Sequence, residues 1–128
     1  MLLRQNKGWA DGQYSLVAGH ADGGESMTAA IIREAREEAG VELKPEDLHM
    51  VHVMHLKSND ERVNFFFETD TWEGTIQNKE PHKCGELCWF PLGQLPENTI
   101  PYVREAIRCC VEHIPYSEYG WAEDPLKI

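Results

Sequence analysis

The sequence predicts an α/β fold, and three features predict it. Met27, Ile31 and Ala35 recur every four residues and give residues 27–39 a helical apolar stripe. Two β-rich runs follow, residues 49–56 (HMVHVMHL) and 63–68 (VNFFFE), separated by the polar turn Ser58-Asn59-Asp60-Glu61. A second helix opens at Thr99 or Pro101 and runs to about residue 113. Strand, glycine loop, helix, strands, helix is an order compatible with an antiparallel-rich mixed sheet between helices.

Residues 1–4 (MLLR) read as the end of a strand, and residues 14–17 (YSLV) as a short strand that enters a loop containing Gly19, Gly23 and Gly24. Ser26 suits the N-cap of the first helix and Gly40 its stop. Residues 44–47 form a turn. In the next strand, alternation sets His49, Val51, Val53 and His55 on one face and His52 on the other, so no metal cluster forms and surface histidines are expected. The run Phe65-Phe66-Phe67 predicts a central buried strand. Residues 74–83 read as a loop and residues 87–90 (LCWF) as a strand that ends by Leu95-Pro96. The second helix should bury Val103, Ile107 and either Cys110 or Val111. Residues 116–128 receive no element.

One domain spanning residues 1–128 accounts for the length, which suffices for a single core. No apolar run approaches the ~18 residues of a membrane span, and the start lacks a signal-peptide pattern, so a cytoplasmic protein is expected. A net charge of −10 argues against binding duplex nucleic acid. The four cysteines, Cys84, Cys88, Cys109 and Cys110, have neither zinc-site nor disulfide-framework spacing, so reduced thiols are expected.

The chemistry concentrates in Arg33-Glu34-Ala35-Arg36-Glu37-Glu38. At about 100° per residue, Glu34 and Glu38 project about 40° apart, with Glu37 beside them. Like charges at that spacing destabilise a helix by a few tenths of a kcal/mol. A hard divalent cation such as Mg²⁺ reverses the penalty, since it prefers carboxylate oxygens. A solvated acidic face is the plainer alternative. The glycine loop at one end and the Arg33/Glu37 i,i+4 pair favour a site.

Residues 19–41 resemble the signature of the Nudix hydrolase family, G-x5-E-x7-R-E-U-x-E-E-x-G-U, where U is a bulky aliphatic residue. Gly19, Glu25, Arg33, Glu34, Glu37, Glu38, Gly40 and Val41 match at the required spacing; Ala35 stands where a larger aliphatic is usual. Leu16-Val17-Ala18-Gly19 replaces the common L-P-G-G. Residues 72–90 also resemble the W-E-G…K-E…W segment of the MutT-like branch.

The resemblance implies an α/β/α sandwich with a mixed sheet. It implies Mg²⁺, with Mn²⁺ as a substitute, held by Glu34, Glu37, Glu38, Glu80 and the Ala18 carbonyl. Arg33 would orient Glu37, and Glu25 would steady the loop or reach metal through water. The catalytic base stays open between Glu34 and Glu80, and Glu86 competes with Glu80 for the loop role. Arg4 and Lys7 lie where relatives contact phosphate. Trp89, Phe90 and Asn98 could line a base pocket, although an aromatic pair at a strand is more often core.

The implied activity is hydrolysis of a nucleoside triphosphate, or a related nucleoside diphosphate-linked compound, to a monophosphate and pyrophosphate. An ADP-ribose or nucleotide-sugar pyrophosphatase is one alternative, and a catalytically weak Nudix-like binding module another. Relatives usually carry a further strand and hairpin before the equivalent of Leu2-Leu3-Arg4. The N-terminal strand therefore reads as truncated, and the open sheet edge that follows favours a homodimer.

Overall fold

The computed structural model describes residues 1–5, 11–17 and 23–121. The chain divides into two compact units: Met1–Leu48 with Thr69–Ile100, and His49–Glu68 with Pro101–Ile128.

The first unit holds a three-stranded antiparallel sheet in the order β2-β1-β5, where β1 is Leu2–Arg4, β2 is Tyr14–Ser15 and β5 is Cys84–Leu87. It also holds helix α1, Met27–Ala39, and a 3₁₀ turn at Pro45–Asp47. Both ends of α1 follow from the sequence. The Ser26 hydroxyl accepts from the Ala29 N–H at 3.1 Å, and Gly40 adopts φ 70° and returns its N–H to the Arg36 carbonyl at 3.1 Å. The apolar side of α1 packs Ala35, Ala39 and Val41 against Val17, Leu43, Ile76 and Leu87. Ala35 is 6% exposed, so the small residue at this point of the motif sits well inside the core.

The second unit is a mixed sheet in the order β4-β3-β6, packed on helix α2, Pro101–Val111. β3 is His49–Lys57, β4 is Glu61–Glu68 and β6 is Tyr116–Tyr119. β3 pairs antiparallel with β4 and parallel with β6. Met54, Leu56 and Ala106 form its core, with Phe66, Tyr102 and Tyr119 against them.

Several expectations change. The strand expected at 87–90 lies three residues earlier, because Cys84 to Leu87 take up the pairing with β1. β4 is an edge strand, and its exposure alternates: Val63 is 50% and Phe65 37% exposed. The three phenylalanines therefore mark a half-covered strand. His52 is 1% exposed, with Nδ1 2.6 Å from the Ile114 carbonyl and Nε2 2.7 Å from Ser117 Oγ. Ser117 lies in β6, within the segment that the sequence leaves unassigned, and Ile114 lies just past the end of α2. On α2, Val103 and Ile107 are buried as expected, joined by Ala106 and Cys109, whereas Val111 is half exposed. The four cysteines are free thiols.

Met54 has no exposed surface, so Met54→Ala should cost about 2–5 kcal/mol. Val63→Ala, at the exposed edge, should cost under about 1 kcal/mol. Urea unfolding of the two variants checks the contrast; equal losses would contradict the packing described for this unit.

Candidate active site

The acidic stretch folds as α1 and grades its carboxylates by depth. Glu38 is buried at 8% exposure, Glu34 is half-buried and Glu37 is exposed. Arg33 organises the cluster. Its Nε and Nη2 donate to the two oxygens of Glu25 at 2.8 and 3.0 Å, and its Nη1 donates to Glu34 Oε1 at 2.8 Å and Glu37 Oε2 at 3.2 Å. The planar guanidinium can serve three carboxylates because its donors fan out in a fixed fork. Those bonds, Glu25 foremost, hold its ionisation even further above the working range than usual. One turn on, Arg36 clamps Glu42 with two bonds of 2.6 and 2.9 Å and lowers that carboxyl's pKa.

The C-terminal end of α1 meets residues 73–80. An α-helix leaves its last carbonyls without partners. Here Gln77 N–H donates to the Ala39 carbonyl at 3.0 Å and Lys79 N–H to the Glu38 carbonyl at 3.2 Å. Glu42 and Glu73 exchange both backbone bonds at 2.9 Å. The Lys79 side chain lies over Gly40, so close that a Cβ there would fall 2.7 Å from Lys79 Cε. A cation at a helix C-terminus is also favoured by the helix dipole.

This docking brings half-buried Glu80 next in chain to the residue that caps Glu38. The Glu80 carbonyl accepts from Lys83 N and Cys84 N at 2.9 and 2.8 Å, closing a turn that feeds β5. β1 runs alongside. Gln5 N donates to the Lys83 carbonyl at 3.0 Å, Gln5 Nε2 to the Pro81 carbonyl at 2.5 Å, and Arg4 pairs with Cys84. The structure thus links α1, the Glu80 turn and the Arg4 strand.

Other residues fall elsewhere. Asn98 Nδ2 donates to the Gly12 carbonyl at 2.9 Å, beside β2. Glu86 accepts from the Cys88 thiol at 2.5 Å, a bond that raises the thiol's pKa, and it adds to the burial that raises the Tyr14 phenol. Glu86 is committed to that cluster. Trp89 is 73% exposed and stacks on Trp72, ring centroids 5.7 Å apart, whereas Phe90 meets Tyr14 edge-on at 5.2 Å. The Lys7, Ala18 and Gly19 assignments lie outside the described residues. The sequence reading gives no separate role to Asn78, whose amide bonds both Glu80 N and the Cys84 carbonyl. An Asn two residues before a glutamate in a turn was its signal, since Asn side chains bond backbone two residues on.

Among the described residues, no three His, Cys, Asp or Glu side chains converge as metal ligands. The α1 donor set still fits a hard divalent cation in kind, being all carboxylate oxygen with one buried member. The charge that the sequence reading assigns to a cation is partly met by Arg33.

A family profile described as NUDIX domain matches residues 1–109. A stretch of 45 residues is 42% identical to the NAD-capped RNA hydrolase NudC of Stutzerimonas stutzeri (strain A1501), covering 35% of this chain and 16% of that protein. Over 98 residues the chain is 29% identical to human 8-oxo-dGDP phosphatase NUDT18, covering 75% of this chain and 29% of that protein. The chain therefore spans less than a third of the length of either relative. Among solved structures, the MutT NUDIX hydrolase from Burkholderia pseudomallei superposes with a TM-score of 0.75 at 24% identity, over 84% of both chains, which establishes a common α/β fold.

Arg33→Lys removes the fork that serves three carboxylates. Its thermal midpoint should fall below that of the wild type, and the gap should narrow in 1 M salt as screening grows. Unchanged melting at low salt would contradict the organising role of Arg33.

Proposed function

The chain belongs to the NUDIX domain family, and on that premise we propose that it is a Mg²⁺-dependent pyrophosphohydrolase. It cleaves a nucleoside triphosphate, or a related nucleoside diphosphate-linked compound, to a monophosphate and pyrophosphate. The observation that carries this reading is the attachment of the Glu80 turn to the end of the acidic helix, through Lys79 N–H and the Glu38 carbonyl. The reading takes residues 1–128 as one cytoplasmic Nudix domain; the homodimer expected from an open edge at Leu2–Arg4 loses that argument, because β1 is paired by β2 on one side and β5 on the other. No helix among the described residues is long and apolar enough to cross a membrane.

Breaking a phosphoanhydride builds negative charge on phosphoryl oxygens, so catalysis is mainly positioning and neutralisation. Glu34, Glu37, Glu38 and Glu80, with the Ala18 carbonyl, would hold Mg²⁺ or Mn²⁺, which when bound supplies Lewis acidity toward those oxygens. The chain's own groups do the rest. Arg33 fixes Glu34 and Glu37 in orientation through its two Nη1 bonds. Glu25 anchors Arg33 from the other side and so couples the residues just before α1 to the helix. Glu34 and Glu80 are the two candidates to take a proton from the attacking water. Arg4 lies on the strand beside the Glu80 turn, where a cation would meet phosphate; Asn98 is the second substrate-binding candidate. Exposed Trp89, backed by Trp72, offers a face on which a base can stack.

A second reading, a nucleoside diphosphate substrate releasing orthophosphate, is favoured by the likeness to a protein named 8-oxo-dGDP phosphatase. Hydrolysis of dGTP and of dGDP in ¹⁸O-water with Mg²⁺ separates the two. Pyrophosphate as the first product from dGTP supports the first reading, whereas turnover of dGDP alone supports the second. In either case Glu37→Gln and Glu38→Gln should each lower turnover by roughly a thousandfold, about 4 kcal/mol of transition-state stabilisation. Near-wild-type turnover of both variants at limiting Mg²⁺ would overturn the assignment of the α1 face.

A further inference from the structure

Asn78 stands between the end of α1 and the start of β5, and its side chain works in both directions. Oδ1 accepts from the Glu80 N–H at 3.0 Å, and Nδ2 donates to the Cys84 carbonyl at 2.6 Å. Both bonds are partly buried. The Glu80 carbonyl is taken by Lys83 and Cys84, so both backbone groups of Glu80 are bound. Gln77 and Lys79, on either side of Asn78, are the residues whose N–H groups cap Ala39 and Glu38. Asn78 is therefore the side chain that ties one end of the turn to the other while the flanking backbone ties the turn to the acidic helix. Only a carboxamide suits the position. It supplies a donor and an acceptor from one planar group, whereas a carboxylate lacks the donor.

We propose that Asn78 is a positioning residue that sets the Glu80 carboxylate relative to the α1 carboxylates, and that it acts on the reaction through Glu80 alone. The proposal rests on the reading of Glu80 as part of the site. Its physical basis is preorganisation: a group held by its supporting hydrogen bonds needs no reordering when the substrate arrives.

The test is a double-mutant cycle on the full chain with Asn78→Ala, Glu80→Gln and the pair combined. Asn78→Asp is added because it keeps the acceptor for Glu80 N–H and loses the donor to Cys84. Two quantities are read: kcat and KM for dGTP, and Mn²⁺ affinity from the free-ion paramagnetic resonance signal. Loss of a supporting hydrogen bond should reduce kcat by about tenfold, with KM within about twofold, and weaken Mn²⁺ binding by a similar factor. Asn78→Asp should recover part of both. In the Glu80→Gln background, Asn78→Ala should add nothing further.

Equal losses from Asn78→Ala in the wild-type and Glu80→Gln backgrounds would overturn the proposal, as would an Asn78→Ala variant identical to wild type. Should Asn78→Ala fail to fold, the cycle is run with Asn78→Asp under the same criteria. A wild-type chain that turns over dGTP while Glu80→Gln matches it removes Glu80, and Asn78 with it, but leaves the pyrophosphohydrolase reading standing. A wild-type chain that neither hydrolyses nucleotides nor binds Mn²⁺ overturns that reading itself.

Discussion

Two backbone hydrogen bonds, from Gln77 and Lys79 to the carbonyls of Ala39 and Glu38, hold the candidate site together. A helix must end somewhere, and its final carbonyls must find donors. In α1 the Arg36 carbonyl is met by Gly40, and the next available donors come from a loop about forty residues later in the chain. The left-handed turn at Gly40 makes this geometry accessible. A side chain there would be strained at φ 70° and would meet Lys79. A need for local satisfaction thus becomes a long-range contact. It draws the Glu80 turn, and through it β5 and the Arg4 strand, to the end of the helix that bears Glu34, Glu37 and Glu38.

The second constraint is charge. A chain of net charge −10 that gathers four acids around residues 25–38 needs cations among them. Arg33 meets Glu25, Glu34 and Glu37 with four bonds, and Lys79 lies at the helix end. Arginine suits the first task because its donors diverge in a plane, and lysine the second because it answers a dipole with a compact charge. The pattern is that of a site whose own cations hold the acids in place. A divalent ion would then be held by oxygens that Arg33 has already oriented.

Legibility in the sequence tracked how local the cause was. α1 was readable to the residue because its cap, stripe and stop all lie within residues 26–40. The acidic face and the Arg33/Glu37 pair followed from spacing, the orienting role of Arg33 came from the family resemblance, and its bonds to Glu25 and Glu34 appear only in the structure. The strand expected at 87–90 was misplaced because β5 is defined by pairing with β1, more than eighty residues away. His52 looked like a surface residue because its partners, Ile114 past the end of α2 and Ser117 in β6, lie more than sixty residues away and give no local signal. β6 exists because β3 offers it a parallel edge. Asn78 received no role of its own for a similar reason. Its neighbours Glu80 and Lys79 carry charge and attract attention, whereas a carboxamide shows its worth only when its two partners are seen.

The central claim is that the acidic helix and the Glu80 turn form one cation-binding site. Paramagnetic broadening of backbone amide signals by substoichiometric Mn²⁺ tests it most directly. The account predicts that amides of residues 34–40 and 77–84 broaden together at the lowest Mn²⁺ added. Broadening at residues 34–40 that leaves residues 77–84 sharp, or broadening that begins at the surface acids Glu105 and Glu112, would contradict it.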